Sequence, residues 1–308
     1  MPDFATHYIF GEQLRQRLTG GAARLIDGNP APFRWGLQGP DPLFFHRILL
    51  GGGPLADHGH LMHAQKTAQL MDTCAHIVWE SRGTPCYEIN KSYFIGFLCH
   101  YVLDKTVHPY VFFRQAALRS QLPEHLWPTL HCQIETEMDN QLYPLYYRQH
   151  VLRFDPGKEC KLPRDFLGCV GRFYSAALSR VYGLEAAPGE VARAFKDALL
   201  VARLLYDSSG WVVYYLTRLV DALTGTPNVY CSHVKGRCSG ADVLNLQHNS
   251  WHNPNLPQVL RSESVPELME KALEEALGFA ELYLGMFETG RIEMLPFTES
   301  FSNGRLDN

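Results

Sequence analysis

The stretch GFLCHYVLDKTVHPYV, residues 96–111, places His100, Asp104 and His108 at intervals of four inside an otherwise apolar run. Residues four apart lie one turn apart on the same face of an α-helix, so these side chains form one polar stripe. The other side chains of the run are mostly apolar or small, which predicts a central helix. Burying two imidazoles and a carboxylate without partners is costly, and metal coordination is one way to offset that cost.

Apolar residues recur at helical spacing through most of the chain, and no two alternating runs flank a tight Asn-Gly or Asp-Gly turn. The sequence therefore predicts one compact, all-α, multi-helix domain over residues 1–308. Its predicted helices are 4–19, 57–80, 91–119, 130–150, 163–183, 188–205, 207–224 and 264–289.

Gly- and Pro-containing segments interrupt these helices. Loops are predicted at 27–42, 51–54, 81–86 and 154–165, and a helix break at TGGAARL, 19–25. Residues 226–262 read as a long, helix-poor loop that folds over something. The polar segment 295–308 is expected either to be flexible or to wrap the surface.

Composition limits the functional classes. The 308 residues are 46% hydrophobic, and the formal net charge is -4 with scattered basic residues, so sequence-specific nucleic-acid binding is not expected. No export signal and no run of about 18 apolar residues is visible, which predicts a cytoplasmic protein without a transmembrane segment. The eight cysteines are dispersed without a CxxC pair, so reduced thiols are expected rather than a disulfide framework or a Cys-type zinc site.

A second polar pair lies in LHCQIETEMDNQL, 130–142, where His131 and Glu135 are again four apart. One such pair usually means a core histidine partnered by a carboxylate. Two predicted helices that both carry one favour a metal site, because zinc binds imidazole and carboxylate oxygen.

Further candidate ligands lie in loops and near helix starts. Asp41 stands in GLQGPDPLFF, where Gly and Pro fix a rigid turn, although a turn or capping Asp would have the same pattern. His7 in FATHYIF is, by itself, equally typical of a partnered core histidine. In DHGHLMHAQKT, His63 leads into a helical run, whereas His58 and His60 flank Gly59 and resemble solvent or cap residues.

Motifs for a protein nucleophile are missing from the sequence. GxSxG, HExxH and the Walker GxxxxGK[ST] pattern are absent, and LLGGGPLA lacks the strand and helix that flank a phosphate-binding loop. A metal-activated water is therefore the expected nucleophile if the protein is an enzyme.

Taken in order, the N-terminal TH, QGPDPLFF, LMHAQKT, GFLCHYVLDKTVHPY and HCQIETEMD resemble the zinc-dependent phospholipase C family, including its intracellular bacterial branch. Fungal single-strand-specific zinc nucleases share this metal-site plan. The motifs cover about residues 1–140, and DVLNLQHNSWHNP further along also looks like a family element.

The resemblance implies an all-α fold with up to three zinc ions. One ion would be bound by Asp41, His63 and His100, a second by His108, His131 and Glu135, and a third by His7 with the N-terminal amine. Asp104 would bridge the first and third ions.

The chain departs from the secreted family members at its start, where they have Trp and this sequence has Met1 and Pro2. Removal of Met1 would leave the Pro2 amine as a ligand, and retention would leave the third site weak or empty. The interval from Asp41 to His63 is longer than in those members, so His60 competes with His63.

The leading hypothesis is a zinc-dependent phosphoesterase in which Asp41, Asp104 and Glu135 carry the catalytic assignment. A hydroxide between zinc ions bridged by Asp104 would attack phosphorus of a phosphodiester or phosphomonoester, with a phospholipid as one candidate substrate. Asp41 or Glu135 could accept a proton, although both are assigned chiefly as ligands.

Six aromatic residues could line a pocket for a lipid or choline group or stack on a base. They are Phe4, Tyr8, Trp35, Phe44, Phe45 and Trp251. For most of them, core packing is the more typical role. The alternative function is a weakly active or non-catalytic helical protein that keeps the metal framework. A di-iron carboxylate bundle is disfavoured because such bundles have Glu-x-x-His pairs three residues apart, whereas the pairs in this sequence are four apart. The sequence leaves the oligomeric state open.

Overall fold

The computed structural model describes residues 4–226 and 228–301, and most of them are helical. The α-helices are α1 Phe4–Arg17, α2 Gly20–Gly28, α3 Pro30–Gly36, α4 Leu55–Ala64, α5 Thr67–Glu80, α6 Tyr87–Arg119, α7 Leu130–Tyr147, α8 Pro156–Glu159, α9 Arg164–Tyr182, α10 Pro188–Leu205, α11 Val212–Thr224 and α12 Val265–Thr289. Short 3₁₀ turns lie at Asp41–Phe45, Ile48–Leu50, Glu124–Thr129, Val151–Arg153 and Cys231–His233. The all-α prediction is confirmed.

Helix α6 is the axis of the fold, and it packs against α1, α3, α5, α7, α9 and α12. Its approach to α3 is close because both helices present glycine at the crossing. A Cβ on Gly96 would overlap the Phe33 carbonyl, and a Cβ on Gly36 would overlap the Tyr93 carbonyl. This contact brings the loop that follows α3 directly over the middle of α6.

The predicted helix 57–80 is wrong as a single element, because α4 and α5 are separate helices. The chain turns at Lys66, whose φ of +59° lies in the left-handed region. Its Nζ donates to the Val181 carbonyl at 2.9 Å and lies 5.7 Å from the Tyr182 ring centre, so tertiary contacts stabilise the turn. As a result, α4 ends immediately after His63 and holds that side chain at a helix terminus.

Two predictions near the N-terminus are also wrong. The segment 19–25 lies mostly within α2 rather than at a helix break, and the predicted loop 27–42 contains α3. Pro30 occupies the first turn of α3, where a missing N–H costs nothing, and the buried Phe33 and Trp35 anchor the helix. Glycine and proline at helix starts were mistaken for loop signals.

The helix-poor reading of 226–262 is confirmed in the described residues, but the segment also contains a small antiparallel pair. Strand β1, Trp251–Asn253, pairs with β2, Leu256–Arg261. Trp251 is buried against Tyr110 of α6, with ring centres 5.3 Å apart. The segment therefore covers the second half of α6.

A disulfide between Cys86 and Cys169 corrects the expectation that all cysteines are reduced. It joins the start of α6 to α9, and the two Cα atoms are 5.6 Å apart, within the usual range for this bond. The expectation of reduced thiols followed from the cytoplasmic prediction, and disulfides are uncommon in cytosolic proteins, so this bond counts against that prediction. No helix in the described ranges is long and apolar enough to cross a membrane.

The described part of the predicted tail packs on the protein. Phe297 and Phe301 are buried, and both rings contact Tyr101 of α6, whose hydroxyl donates to the Glu299 carbonyl. Residues 302–308 lie outside the described residues. Aromatic anchors thus bring residues 295–301 back to the centre of the fold.

Candidate metal centre

Eight of the candidate ligands converge around the middle of α6. His7 comes from α1, Asp41 from the 3₁₀ turn Asp41–Phe45, His63 from α4, His100, Asp104 and His108 from α6, and His131 and Glu135 from α7. They form three groups, each with ligand atoms within 4.8 Å of one another, that could hold a metal ion. The groups found in the described residues are the Asp41 group (Asp41, His63, His100), the His7 group (His7, His100, Asp104) and the Glu135 group (His108, His131, Glu135).

The Asp41 group directs imidazole lone pairs toward one point. His63 Nδ1 lies 2.8 Å from the Gly59 carbonyl, and His100 Nδ1 lies 3.2 Å from the Leu37 carbonyl. Because a carbonyl only accepts, both Nδ1 atoms donate, and a neutral ring then has its lone pair on Nε2. The two Nε2 atoms are 3.4 Å apart, and His63 Nε2 is 3.1 Å from Asp41 Oδ1. The lone pairs on the two Nε2 atoms and on the Asp41 oxygen would repel one another at these distances. A cation placed between them would be coordinated by all three.

The loop that carries Asp41 fits tightly against His100. Gly39 has a φ of +48°, and a Cβ at this position would overlap the His100 ring. The Gly39 carbonyl accepts hydrogen bonds from Tyr93 at 3.2 Å and Tyr174 at 2.6 Å. The turn expected from the Gly and Pro residues is thus also held by hydrogen bonds from two distant tyrosines, which the sequence did not reveal.

Asp104 faces two sets of ligands with its two oxygens. Oδ1 lies 3.3 Å from His7 Nε2, while Oδ2 lies 3.2 Å from His100 Nε2 and 3.9 Å from His108 Nδ1. The His7 ring stacks on the His100 ring with centres 4.6 Å apart, and neither His7 nitrogen has a hydrogen bond to a described residue. This placement suits a carboxylate that bridges neighbouring ions. Pro2 and the N-terminal amine lie outside the described residues.

The Glu135 group is built from α6 and α7. Glu135 Oε1 lies 2.8 Å from His131 Nε2 and 3.4 Å from His108 Nε2. His108 Nδ1 donates to the Phe301 carbonyl at 2.9 Å. Carbonyl partners on Nδ1 are typical of metal-ligating histidines, because they fix the ring and leave Nε2 for the metal.

The carboxylates are ionised despite their burial. Burial raises the pKa of Asp41, but His100 and His63 outweigh it and lower the pKa below the usual value. Burial likewise opposes ionisation of Asp104, and His100 with His108 lowers its pKa. The centre therefore holds buried negative charge that a divalent cation would balance.

The histidines differ strongly in proton affinity. Burial lowers the pKa of His100 to about 4, although Asp104 and Asp41 oppose this effect, so the ring is neutral at pH 7. For His108, burial also disfavours the charged ring, but Asp104, Glu135 and the Phe301 carbonyl outweigh it and raise the pKa to about 9. His100 is ready to coordinate at neutral pH, whereas His108 must first lose a proton.

His60 and His63 occupy different positions. His63 is buried in the Asp41 group, while His60 is exposed with its ring 4.6 Å from that of Phe44, and it belongs to none of the three groups. Both residues lie on α4, and the hydrogen bond from His63 Nδ1 to the Gly59 carbonyl holds the His63 ring in the group.

Asp139 is a supporting residue that the sequence reasoning missed. Its carboxylate accepts hydrogen bonds from the backbone N–H groups of Ala5 at 3.1 Å and Thr6 at 2.7 Å, and it pairs with Lys235 Nζ at 2.7 Å. These contacts fix the start of α1 and therefore the position of His7. In the sequence, Asp139 follows Glu135 by four residues and so lies on the same face of the helix. That spacing could have identified it.

A cavity of about 1120 Å³ opens onto all three groups. Asp104, Asp41 with His63, and His108 with His131 each form part of its wall. The remaining wall is mainly apolar and includes Phe44, Phe45, Phe112, Leu152, Phe154 and Leu204. Of the aromatic residues considered for a pocket, Phe4, Phe44 and Phe45 line the cavity, whereas Trp35 and Trp251 are core residues.

Comparison of the chain with protein-family models, curated proteins and solved structures gives no match. Functional interpretation therefore rests on the motifs in the sequence and on the geometry of the site.

Proposed function

We propose that the protein is a zinc-dependent phosphoesterase, similar to phospholipase C, that hydrolyses a phosphodiester or a phosphomonoester. The observation that carries the proposal is that all three ligand groups contribute to the wall of one cavity. Structural zinc sites are usually closed by protein ligands, whereas catalytic sites keep a position open to solvent or substrate. The open cavity thus favours turnover over a purely structural metal framework.

The donor set fits zinc. Imidazole nitrogen and carboxylate oxygen are both common zinc ligands, and three of the histidines have Nδ1 fixed by a backbone carbonyl. In this proposal the Asp41 group holds one ion, the Glu135 group a second, and His7 with Asp104 and the N-terminal amine a third. His100 and Asp104 connect the neighbouring groups.

When bound, zinc would lower the pKa of a water ligand toward about 7 and neutralise charge on the phosphoryl oxygens. Asp104 directs one oxygen toward His7 and the other toward His100, which also belongs to the Asp41 group, and its lowered pKa keeps both oxygens available as acceptors. The carbonyls of Leu37, Gly59 and Phe301 orient the rings before substrate arrives. Asp41 and Glu135 are held as ligands and are candidates to accept a proton.

The cavity wall also indicates the substrate class. Phe44, Phe45, Phe112 and Phe154 lie beside the ligand groups, so a phosphoryl group next to an apolar moiety is favoured over a fully polar ester. A phospholipid has this chemistry. The wide apolar space would hold the acyl or aromatic part while the phosphoryl group meets the ligand cluster.

The test compares zinc content and hydrolysis in the unaltered protein and in Asp104→Asn. Substrates are bis-p-nitrophenyl phosphate, a phosphatidylcholine analogue and single-stranded nucleic acid. Asp104→Asn should lose at least one zinc ion and at least about 100-fold in activity, because one carboxylate serves two groups. The control is Asp72→Asn, which removes a carboxylate charge on α5 that pairs with His76 and belongs neither to a ligand group nor to the cavity wall.

Two outcomes would overturn the proposal. Full activity in Asp104→Asn would remove the bridging carboxylate from the mechanism. Bound zinc without hydrolysis of any of the three esters would favour the non-catalytic metal-binding alternative.

A further inference from the structure

Helix α11 presents its apolar face to solvent. Seven residues form a continuous stripe along it, and each is more than 40% exposed: Trp211, Val212, Tyr215, Leu216, Leu219, Val220 and Leu223. Leu219 is 57% and Leu223 78% exposed. Amphipathic helices of globular proteins normally turn such a stripe toward the core, so the polarity of α11 is reversed.

The side of α11 opposite the apolar stripe carries the buried Asp221, and hydrogen bonds to the flanking segments hold both ends of the helix. Asp221 is buried, and its oxygens accept from the backbone N–H groups of Tyr230 at 2.9 Å and Cys231 at 3.0 Å. At the other end, Asp207 Oδ2 accepts from the Val213 N–H at 3.1 Å, which also explains why the helix begins later than the predicted residue 207. Both ends of the helix are therefore held.

The exposed stripe is next to the mouth of the cavity. Val229 and Tyr230, just beyond α11, line the cavity and are exposed, and so are Leu204 of α10 and Ile48 with Leu49. Leu49 is 62% exposed. Three segments thus contribute exposed apolar side chains to the cavity wall, and one of them follows α11 in the chain, which is more than scattered exposed residues.

The charges at this face favour an anionic, extended apolar partner. None of the seven stripe residues is acidic, and Asp221 points inward, although the whole chain has a net charge of -4. The exposed Arg237 lies over the rings of Trp211 at 4.9 Å and Tyr214 at 4.1 Å, and Arg218 is also exposed on α11. Apolar residues edged by aromatic rings and cations are typical of helices that lie in a lipid interface.

We propose that α11 and the apolar cavity rim form a docking surface for an anionic lipid bilayer, with α11 lying flat in the interface. The stripe would enter the boundary of the acyl region, and Arg218 and Arg237 would contact the headgroups. No described helix is suited to spanning a membrane, which agrees with a surface-bound arrangement. The cavity mouth would then face the bilayer. This orientation bears on the proposed function only if the substrate is a lipid, and the docking surface itself does not rest on that function.

The first test is flotation of the protein with vesicles of phosphatidylcholine and phosphatidylglycerol at 4:1 and, separately, of phosphatidylcholine alone. The unaltered protein should float with the anionic vesicles, and Leu223→Glu should weaken this binding by about tenfold or more. Leu260→Glu is the matched control, since Leu260 is a 73% exposed leucine on β2 outside the cavity rim. Far-UV circular dichroism and thermal unfolding check that both variants are folded.

A second measurement uses the unaltered protein and does not depend on charged variants. Trp211 is 57% exposed, so insertion should shift its fluorescence to the blue when anionic vesicles are added, and Trp211→Phe should remove that shift. No tryptophan shift and no flotation would overturn the proposal, as would equal losses in Leu223→Glu and Leu260→Glu. A dimer by light scattering that becomes a monomer in Leu223→Glu would instead assign the stripe to a second copy.

These readouts involve no turnover. Failure of vesicle binding therefore refutes the docking surface, while hydrolysis of bis-p-nitrophenyl phosphate tests the phosphoesterase proposal independently.

Discussion

The proton held by His108 predicts that the metal-free protein loses stability as pH rises above neutrality. Its pKa is raised from an ordinary value of 6.5 to about 9, so the folded state binds this proton more tightly than the unfolded state. A raised pKa gives stability that is fully present below pH 6.5 and is lost as pH rises toward 9. Between pH 6.5 and 8.5 the loss from this one group is about 2 kcal/mol.

The assay is urea unfolding of the protein after removal of metal with a chelator, at intervals from pH 6.5 to 8.5. Buried thiols add to the loss near pH 8.5, because burial raises the pKa of Cys160 to about 12 while unfolded thiols ionise with a pKa of about 8.5, but this contribution is the same in every variant compared. His108→Gln removes the titrating ring and should remove about 2 kcal/mol of the pH dependence. His125→Gln, at an exposed histidine, is the control and should keep the full dependence.

The same pH dependence in His108→Gln and in the unaltered protein would show that His108 does not bind this proton. A rise in the free energy of unfolding over this interval would also refute the prediction, because the sign follows directly from the raised pKa.

Three further predictions concern the metal centre and its support. Zinc binding at the Glu135 group must displace the His108 proton, so its apparent affinity should rise about tenfold per pH unit below pH 9, measured by calorimetry in buffers of different ionisation enthalpy. Gly39→Ala should reduce zinc content and lower the free energy of unfolding by at least about 2 kcal/mol, while Gly83→Ala, at a φ of +79° with open space around it, should bring only the smaller backbone cost. Reduction of the Cys86–Cys169 disulfide, which spans 83 positions, should lower the free energy of unfolding by about 2–4 kcal/mol. The same free energy of unfolding with and without reductant would contradict this prediction.

Local periodicity predicted most of the fold because it depends on side chains that neighbour one another in sequence. The stripe from His100 to His108 and the His131–Glu135 pair lie on helices as expected. The break at Lys66 was missed because its left-handed backbone is stabilised by Val181 and Tyr182, more than a hundred positions away.

The convergence of the site was expected only through the family resemblance, since spacing within one helix says nothing about His7 or Asp41. The groups that orient the rings could not be predicted in any way from residue types. The carbonyls of Leu37, Gly59 and Phe301 are present in every residue, and only the fold decides which of them meets an imidazole.

The exposed face of α11 shows a second limit of prediction from sequence periodicity. Its helical period is plain in the sequence, but period alone does not decide which side faces the core. Asp221 is buried because it binds two backbone N–H groups in the following loop, and residue types alone do not reveal that pairing.

The hydrogen bond from His108 to the Phe301 carbonyl spans 193 positions, and the bonds from α1 to Asp139 span more than 130. During synthesis the first helices can form early, since their contacts are local, but His108 meets this partner only after residue 301 has left the ribosome. The oriented ligand cluster is therefore a late product of folding. Metal loading of this group would follow that late step, and chains that stop near residue 290 should bind zinc less tightly than chains that include residue 301.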